Sequence, residues 1–216
     1  MSVVQSATKL FDLLATYDTA FTRHLRPGLS RAEIQALVGS LGVVLPEEAL
    51  QFYEHFTLPK GYQYGPDQPH FFGIYWMLGL EDAIEQYRVN EYSVNFTAES
   101  EFIPGENEGS SGWFPFLEED AYFYLLDTSH AVNGLCPIIH VPEAGGPEPQ
   151  FVSMAAMFET MYDWIKEGVL AVEEGHLVGA YEGDPVSVGQ IAERHNPGIA
   201  SWRRKASGRV SVHDAE

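Results

Sequence analysis

Eight histidines are the first residues that could carry chemistry, and their spacing argues against most of it. They are His24, His55, His70, His130, His140, His176, His195 and His213. No two stand as His-x-x-x-His, and the helical zinc motif His-Glu-x-x-His does not occur. Glu54 and His55 are neighbours on one expected helix, so their side chains diverge by about 100°. His130 and His140 could approach each other across an expected hairpin near Asp127. A hairpin there would bring two imidazoles toward one carboxylate, a weak metal-ligand set. Ordinary turn histidines are the preferred reading, and no metal or other cofactor is expected. The one cysteine, Cys136, excludes an intramolecular disulfide. Its setting, Leu135-Cys136-Pro137-Ile138-Ile139, is that of a buried, inert thiol.

Other catalytic signatures are also missing. There is no Gly-x-Ser-x-Gly elbow and no phosphate-cradling Gly-rich loop followed by Lys-Ser/Thr. Glu173-Glu174 and Glu118-Glu119-Asp120 offer paired carboxylates, but adjacent acids read more simply as solvated surface. With no nucleophile–base pair to name, the chain is expected to be non-enzymatic.

The elements that would hold these groups follow from hydrophobic spacing. Leu10, Leu13, Leu14, Tyr17 and Phe21 predict a helix over 5–22, ended by Arg26-Pro27-Gly28. Ser30-Arg31-Ala32-Glu33 has capping-box spacing, and Ile34, Leu37, Val38 and Leu41 follow on one helix face up to Gly42. Leu45-Pro46-Glu47-Glu48 opens a second helix, with proline in its first turn and acids at its positive end. Phe71–Leu78 reads as a buried strand, and Leu80, Ala83, Ile84 and Tyr87 as a helix to about Tyr92. Residues 97–112 are polar and glycine-rich, an expected mobile loop.

Strands come next. Trp113–Phe116 is followed by an expected turn at Leu117–Asp120, then by Tyr122–Asp127 and Leu135–Val141. Phe151-Val152 adds a short piece, and Ser153 caps a helix carrying Met157, Phe158, Met161, Tyr162, Trp164 and Ile165. Helices, then an antiparallel meander, then a helix make an α+β fold. The domain is placed at 1–168 and a C-terminal extension at 169–216. In the extension Val178–Tyr181 reads as a strand and Ser187–Gln190 as a capping box, with the last dozen or so residues mobile.

The chain has 216 residues, with 12 Lys and Arg against 31 Asp and Glu, a formal net charge of −19. That sign argues against phosphate-directed nucleic-acid binding and against an anionic membrane surface. It suits a cationic protein partner. The start of the chain does not read as a signal peptide and no 18-residue apolar run exists, so a cytoplasmic protein is expected. Four of the basic residues, Arg203, Arg204, Lys205 and Arg209, cluster in the tail. Antiparallel edge strands permit a monomer or a weak homodimer.

The order of elements is similar to that of a known group. Leu41-Gly42-Val43-Val44-Leu45-Pro46-Glu47-Glu48 leads into an aromatic helix ending at Phe56. A Trp113-centred strand, a strand ending in Leu126-Asp127, a turn with Gly134 and the helix Met157–Trp164 follow. Over roughly residues 28–168 this series resembles the SUKH superfamily, whose best-known members are the Smi/Knr-type cell-wall regulators of yeast. The resemblance implies an α+β domain with no shared catalytic residues. It also implies a protein-binding role, as an immunity protein that neutralises a toxin, often a nuclease, or as a regulatory scaffold with several partners. The Asn-Gly common after the Leu-Pro helix is replaced here by Thr57-Leu58-Pro59-Lys60-Gly61. The residues expected to meet a basic partner are Glu47, Glu48 and Glu54, with Glu118, Glu119 and Asp120. Aromatic anchors are expected from the Tyr62–Phe72 loop, Tyr62 and Tyr64 among them.

Overall fold

A computed structural model describes residues 1–64, 70–97, 112–119, 122–142, 147–173, 176–178 and 184–208. Most of the 97–112 loop, Asp120, the end of the expected strand at 179–181 and Arg209 with the rest of the tail lie outside the described residues.

The N-terminal helical signal resolves into two helices. Ser2 caps α1 (Val3–Thr16) through a capping box with Gln5. The chain then breaks at Tyr17–Thr19, where Asp18 adopts a left-handed φ of 49°, and resumes as α2 (Ala20–His24). Aspartate tolerates that conformation better than most residues, which ends the single helix expected over 5–22. Arg26-Pro27 is not a simple stop. It forms a two-residue strand, β1, paired antiparallel with β2 (Phe56–Thr57). Between these strands lie α3 (Arg31–Val38), capped by the Ser30–Glu33 box, and α4 (Glu47–His55). Pro46 sits at the N-cap of α4, just before the first helical turn.

Five strands form one antiparallel sheet in sequential order. They are β3 (Trp76–Met77), β4 (Trp113–Glu119), β5 (Tyr122–Asp127), β6 (Ile138–Val141) and β7 (Glu148–Phe151). The expected meander is therefore present, with α5 (Leu80–Thr97) between its first two strands. Three boundaries differ from the sequence reading. The apolar run from Phe71 is a tight turn before it is a strand: Phe72 and Tyr75 bridge across Gly73 at φ 56°. Leu117 does not open a turn but is buried inside β4, opposite both Met77 and Tyr124. Leu135 precedes its strand, bridging Val132 around Asn133 (φ 54°) and Gly134 (φ 79°). Two left-handed central residues give the tight hairpin turn that follows strand twist.

One sheet face packs on helices. Helix α6 (Met154–Lys166), capped by Ser153, stacks Phe158 on Phe52 of α4 at 5.6 Å. The same ring stands edge-on to Phe116 of β4 at 6.3 Å. The C-terminal segment is docked on this body. It contains β8 (Ala171–Glu173), β9 (His176–Val178), α7 (Pro185–His195) and α8 (Ala200–Ala206). Asp184, not Ser187, caps α7, with Pro185 in the first turn. Trp164 Nε1 donates to Val188 O at 3.1 Å, and buried Trp202 donates to Gln150 O of β7. Three of the basic tail residues are engaged as well. Arg203 meets Glu193 at 3.4 Å, Arg204 meets Glu148 at 4.0 Å, and Lys205 lies over the Trp202 ring at 5.0 Å. Among the described residues no helix is long and apolar enough to cross a membrane.

Candidate functional site

The acids at the start of α4 divide by orientation. Glu48 is buried, because the helix start turns its side chain inward. Its Oε2 accepts from Cys136 N at 2.9 Å and Met154 N at 3.2 Å, and its Oε1 accepts from Ala155 N at 2.9 Å. Burial pushes this carboxyl above the usual glutamate range, while the backbone N–H groups oppose that push. Glu48 thus ties together α4, the hairpin turn and the first turn of α6. It is not available to a partner, contrary to expectation.

Glu47 and Glu54 project outward and share one cation. Arg31 donates from Nε and Nη2 to Glu54 at 2.8 and 2.9 Å. It also donates from Nη1 and Nη2 to Glu47 at 3.0 and 2.8 Å. The guanidinium holds both carboxyls below the usual range. Two carboxylates on one guanidinium leave a net negative charge at the surface.

The other described candidates, Tyr62, Tyr64, Glu118 and Glu119, lie on other elements. Tyr62 is buried and donates its hydroxyl to Met77 O, so it cannot anchor a partner. Tyr64 is 75% exposed. Glu118 and Glu119 belong to β4, where Glu118 accepts from Gln86 Nε2 at 2.7 Å. Glu47 and Glu54 are joined through a common partner, Arg31.

Among the described residues, Asp127, Ser129 and His130 form one local cluster at the end of β5. His130 Nδ1 donates to Asp127 Oδ2 at 2.8 Å, and Ser129 Oγ donates to Asp127 Oδ1 at 2.7 Å. Ser129 approaches His130 on that same nitrogen, at 3.2 Å, so the imidazole cannot take its proton in the manner of a serine-hydrolase base. His140 is turned elsewhere, with Nε2 3.0 Å from Tyr75 Oη and its ring stacked on Tyr124. The hairpin does not bring His130 and His140 to one carboxylate. Among the described residues no group of three or more His, Cys, Asp or Glu could hold a metal ion. Burial pushes the Cys136 thiol far up, which keeps it protonated. An open cleft of ≈ 340 Å³ lies between α1, α2 and the α4–β2 junction, lined by Phe11, Asp12, Leu25, Arg26, His55 and Phe56. His55 Nδ1 donates to Gln51 O there at 2.9 Å.

The chain matches the SMI1/KNR4 family (SUKH-1) over residues 28–167. It belongs to that family. The SUKH-1 stretch contains Arg31, Glu47, Glu48, Glu54 and the Cys136 turn, whereas α1 and α2 precede it and α7 and α8 follow it. No curated protein matches the chain by sequence.

Sequence reasoning missed three residues of this SUKH-1 surface. Val44, Val132 and Leu135 are 82%, 64% and 49% exposed. The signal was present in Val132-Asn133-Gly134-Leu135, since Asn-Gly between apolar residues marks a tight hairpin. The apolar run from Leu135 instead assigns that residue to the following strand. In the sequence Arg31 shows only as a capping-box position, because nothing in local spacing links it to residues 16 and 23 positions away.

Proposed function

We propose that this SUKH-1 domain is a non-enzymatic binding protein that holds and neutralises a cationic protein, as an immunity protein holds a toxin. The observation that carries this reading is a SUKH-1 domain in a chain of net charge −19. A nuclease must be positive where it grips phosphates. An acidic inhibitor meets that surface with complementary charge and is steered to it at long range. The outward Glu47–Arg31–Glu54 group is consistent with such a role, because it leaves negative charge on a rigid helix.

The test is affinity capture with the full-length chain as bait, at physiological salt, from lysate of the native cells and of their competitors. One stoichiometric basic protein, toxic when expressed alone and harmless when co-expressed, is the expected result. A spread of substoichiometric partners with no such protein among them would replace this reading with that of a regulatory scaffold.

A further inference from the structure

We infer that the tip of the β5–β6 hairpin, with the start of α4, is the surface on which the partner docks. The inference rests on the binding role just proposed and specifies the partner chemistry: an apolar side chain flanked by Lys or Arg. Val132 and Leu135 are direct bridge partners, so their side chains share one face of the hairpin. Both are exposed, although nothing in the turn itself requires apolar residues there. Val44 stands nearby in sequence from Glu47, turned outward between buried Val43 and Leu45.

The tip is bolted to α4. Glu48 N donates to Gly134 O at 3.0 Å, and Cys136 N donates to the Glu48 carboxylate. A side chain at Gly134 would stand 3.2 Å from Glu47 Cβ, so the turn lies directly against the acid. Exposed apolar groups on a fixed backbone lose little freedom on binding, which favours their use as anchors. Charge chooses the occupant. Glu47 lies against the tip and shares a single guanidinium with Glu54, leaving an uncompensated carboxylate charge on this helix. A cation on the partner meets that charge while its apolar neighbour covers Val132 and Leu135. A second copy of this chain would bring its own −19 and the same acids against them.

The probe is a short synthetic peptide alternating Arg with Trp and Leu, and a version with Asp in place of Arg is its control. Binding to the full-length chain is followed by fluorescence anisotropy at low and physiological salt, and the contact is located by amide hydrogen exchange. The cationic peptide should bind, slow exchange around 131–136 and 44–48, and weaken as salt rises. The Val132→Asp/Leu135→Asp double variant should bind at least about tenfold more weakly. Glu47→Gln should bind more weakly and with a flatter salt response. Tyr17→Asp, an exposed position on α1's end, should leave binding unchanged. Both aspartate variants change exposed side chains, and an unaltered urea midpoint will verify their folds.

Undiminished binding to the double variant, or protection confined to another surface, would overturn the docking site while leaving the cationic-partner reading intact. Failure of the wild-type chain to bind the cationic peptide at low salt would also overturn it. The lysate capture then judges the binding role independently.

Discussion

Glu48 Oε2 accepts the Cys136 N–H at 2.9 Å, joining the first turn of α4 to a residue 88 positions further along the chain. The same carboxylate takes the N–H groups of Met154 and Ala155, so one side chain fixes three elements. Replacing it with alanine leaves three backbone donors without their acceptor, each costing about 1–3 kcal/mol when buried. Glu48→Ala should therefore lose about 3 kcal/mol or more of stability in urea unfolding. Glu48→Gln should fall between alanine and wild type, because its amide retains one of the two acceptor oxygens. An alanine variant as stable as the wild type would show that the contacts are replaced by water at little cost.

Arg31 makes a different kind of prediction, because its partners face solvent. Glu47 and Glu54 titrate low chiefly through their hydrogen bonds to Arg31. In Arg31→Gln both carboxyls should move up toward the ordinary glutamate range, while the urea midpoint changes little. Carbon-13 NMR of the side-chain carboxyls across an acid titration reads this directly. Unmoved titrations would show that the three-residue group does not persist in solution.

The strongest local signals were legible in the sequence: the Ser30–Glu33 capping box, the Ser153 cap and the sequential meander. The two caps are decided within a few residues, and the β4–β5 pairing across a short connection. The orientation of Glu48 was not legible, because first-turn helix chemistry is the same for an acid facing water and one facing backbone N–H groups. What turns Glu48 inward is the arrival of Cys136 and Met154 from distant segments. The burial of Tyr62 is hidden for the same reason: its partner, the Met77 carbonyl, lies 15 positions further along the chain. Leu117 shows the opposite case, where a polar neighbourhood suggested a turn but burial between β3 and β5 keeps the strand going.

The C-terminal helices lie beyond the SUKH-1 match and yet are joined to its core. Trp202 is buried, donates to Gln150 O, and its ring lies 5.9 Å from Phe151 and 5.8 Å from Trp164. Trp202→Ala should cost about 3–5 kcal/mol, the range for removing a large aromatic ring from a core. Gly189→Ala attacks the same contact from the other side. Its added Cβ would stand 2.3 Å from Ala206 N, backbone that cannot move aside without shifting α8. Both variants should lower the urea midpoint and expose Trp164 to an aqueous quencher. A quenching profile like that of the wild type would mean that α8 is not needed to cover the core.

His140 gives stability a specific dependence on pH. Its ring lies on Tyr124 with centroids 4.7 Å apart, with Tyr75 Oη against Nε2 and Glu148 opposite on β7. Burial, aided by the positive charge of Lys205, pushes its imidazolium down to about 4. An unfolded histidine binds a proton near pH 6.5. The unfolded chain therefore holds more protons between those values. The stability linked to this ring is fully present above about pH 6.5 and is lost as the pH falls toward 4. The full effect is of order 3 kcal/mol. Many carboxylates titrate over the same range, so the difference between wild type and His140→Phe isolates this group. Phenylalanine keeps a ring against Tyr124 and removes the proton site. The wild type's stability relative to this variant should decline from pH 7 to pH 4.5 in urea unfolding. A difference that stays constant would place the imidazole in contact with water in the folded protein.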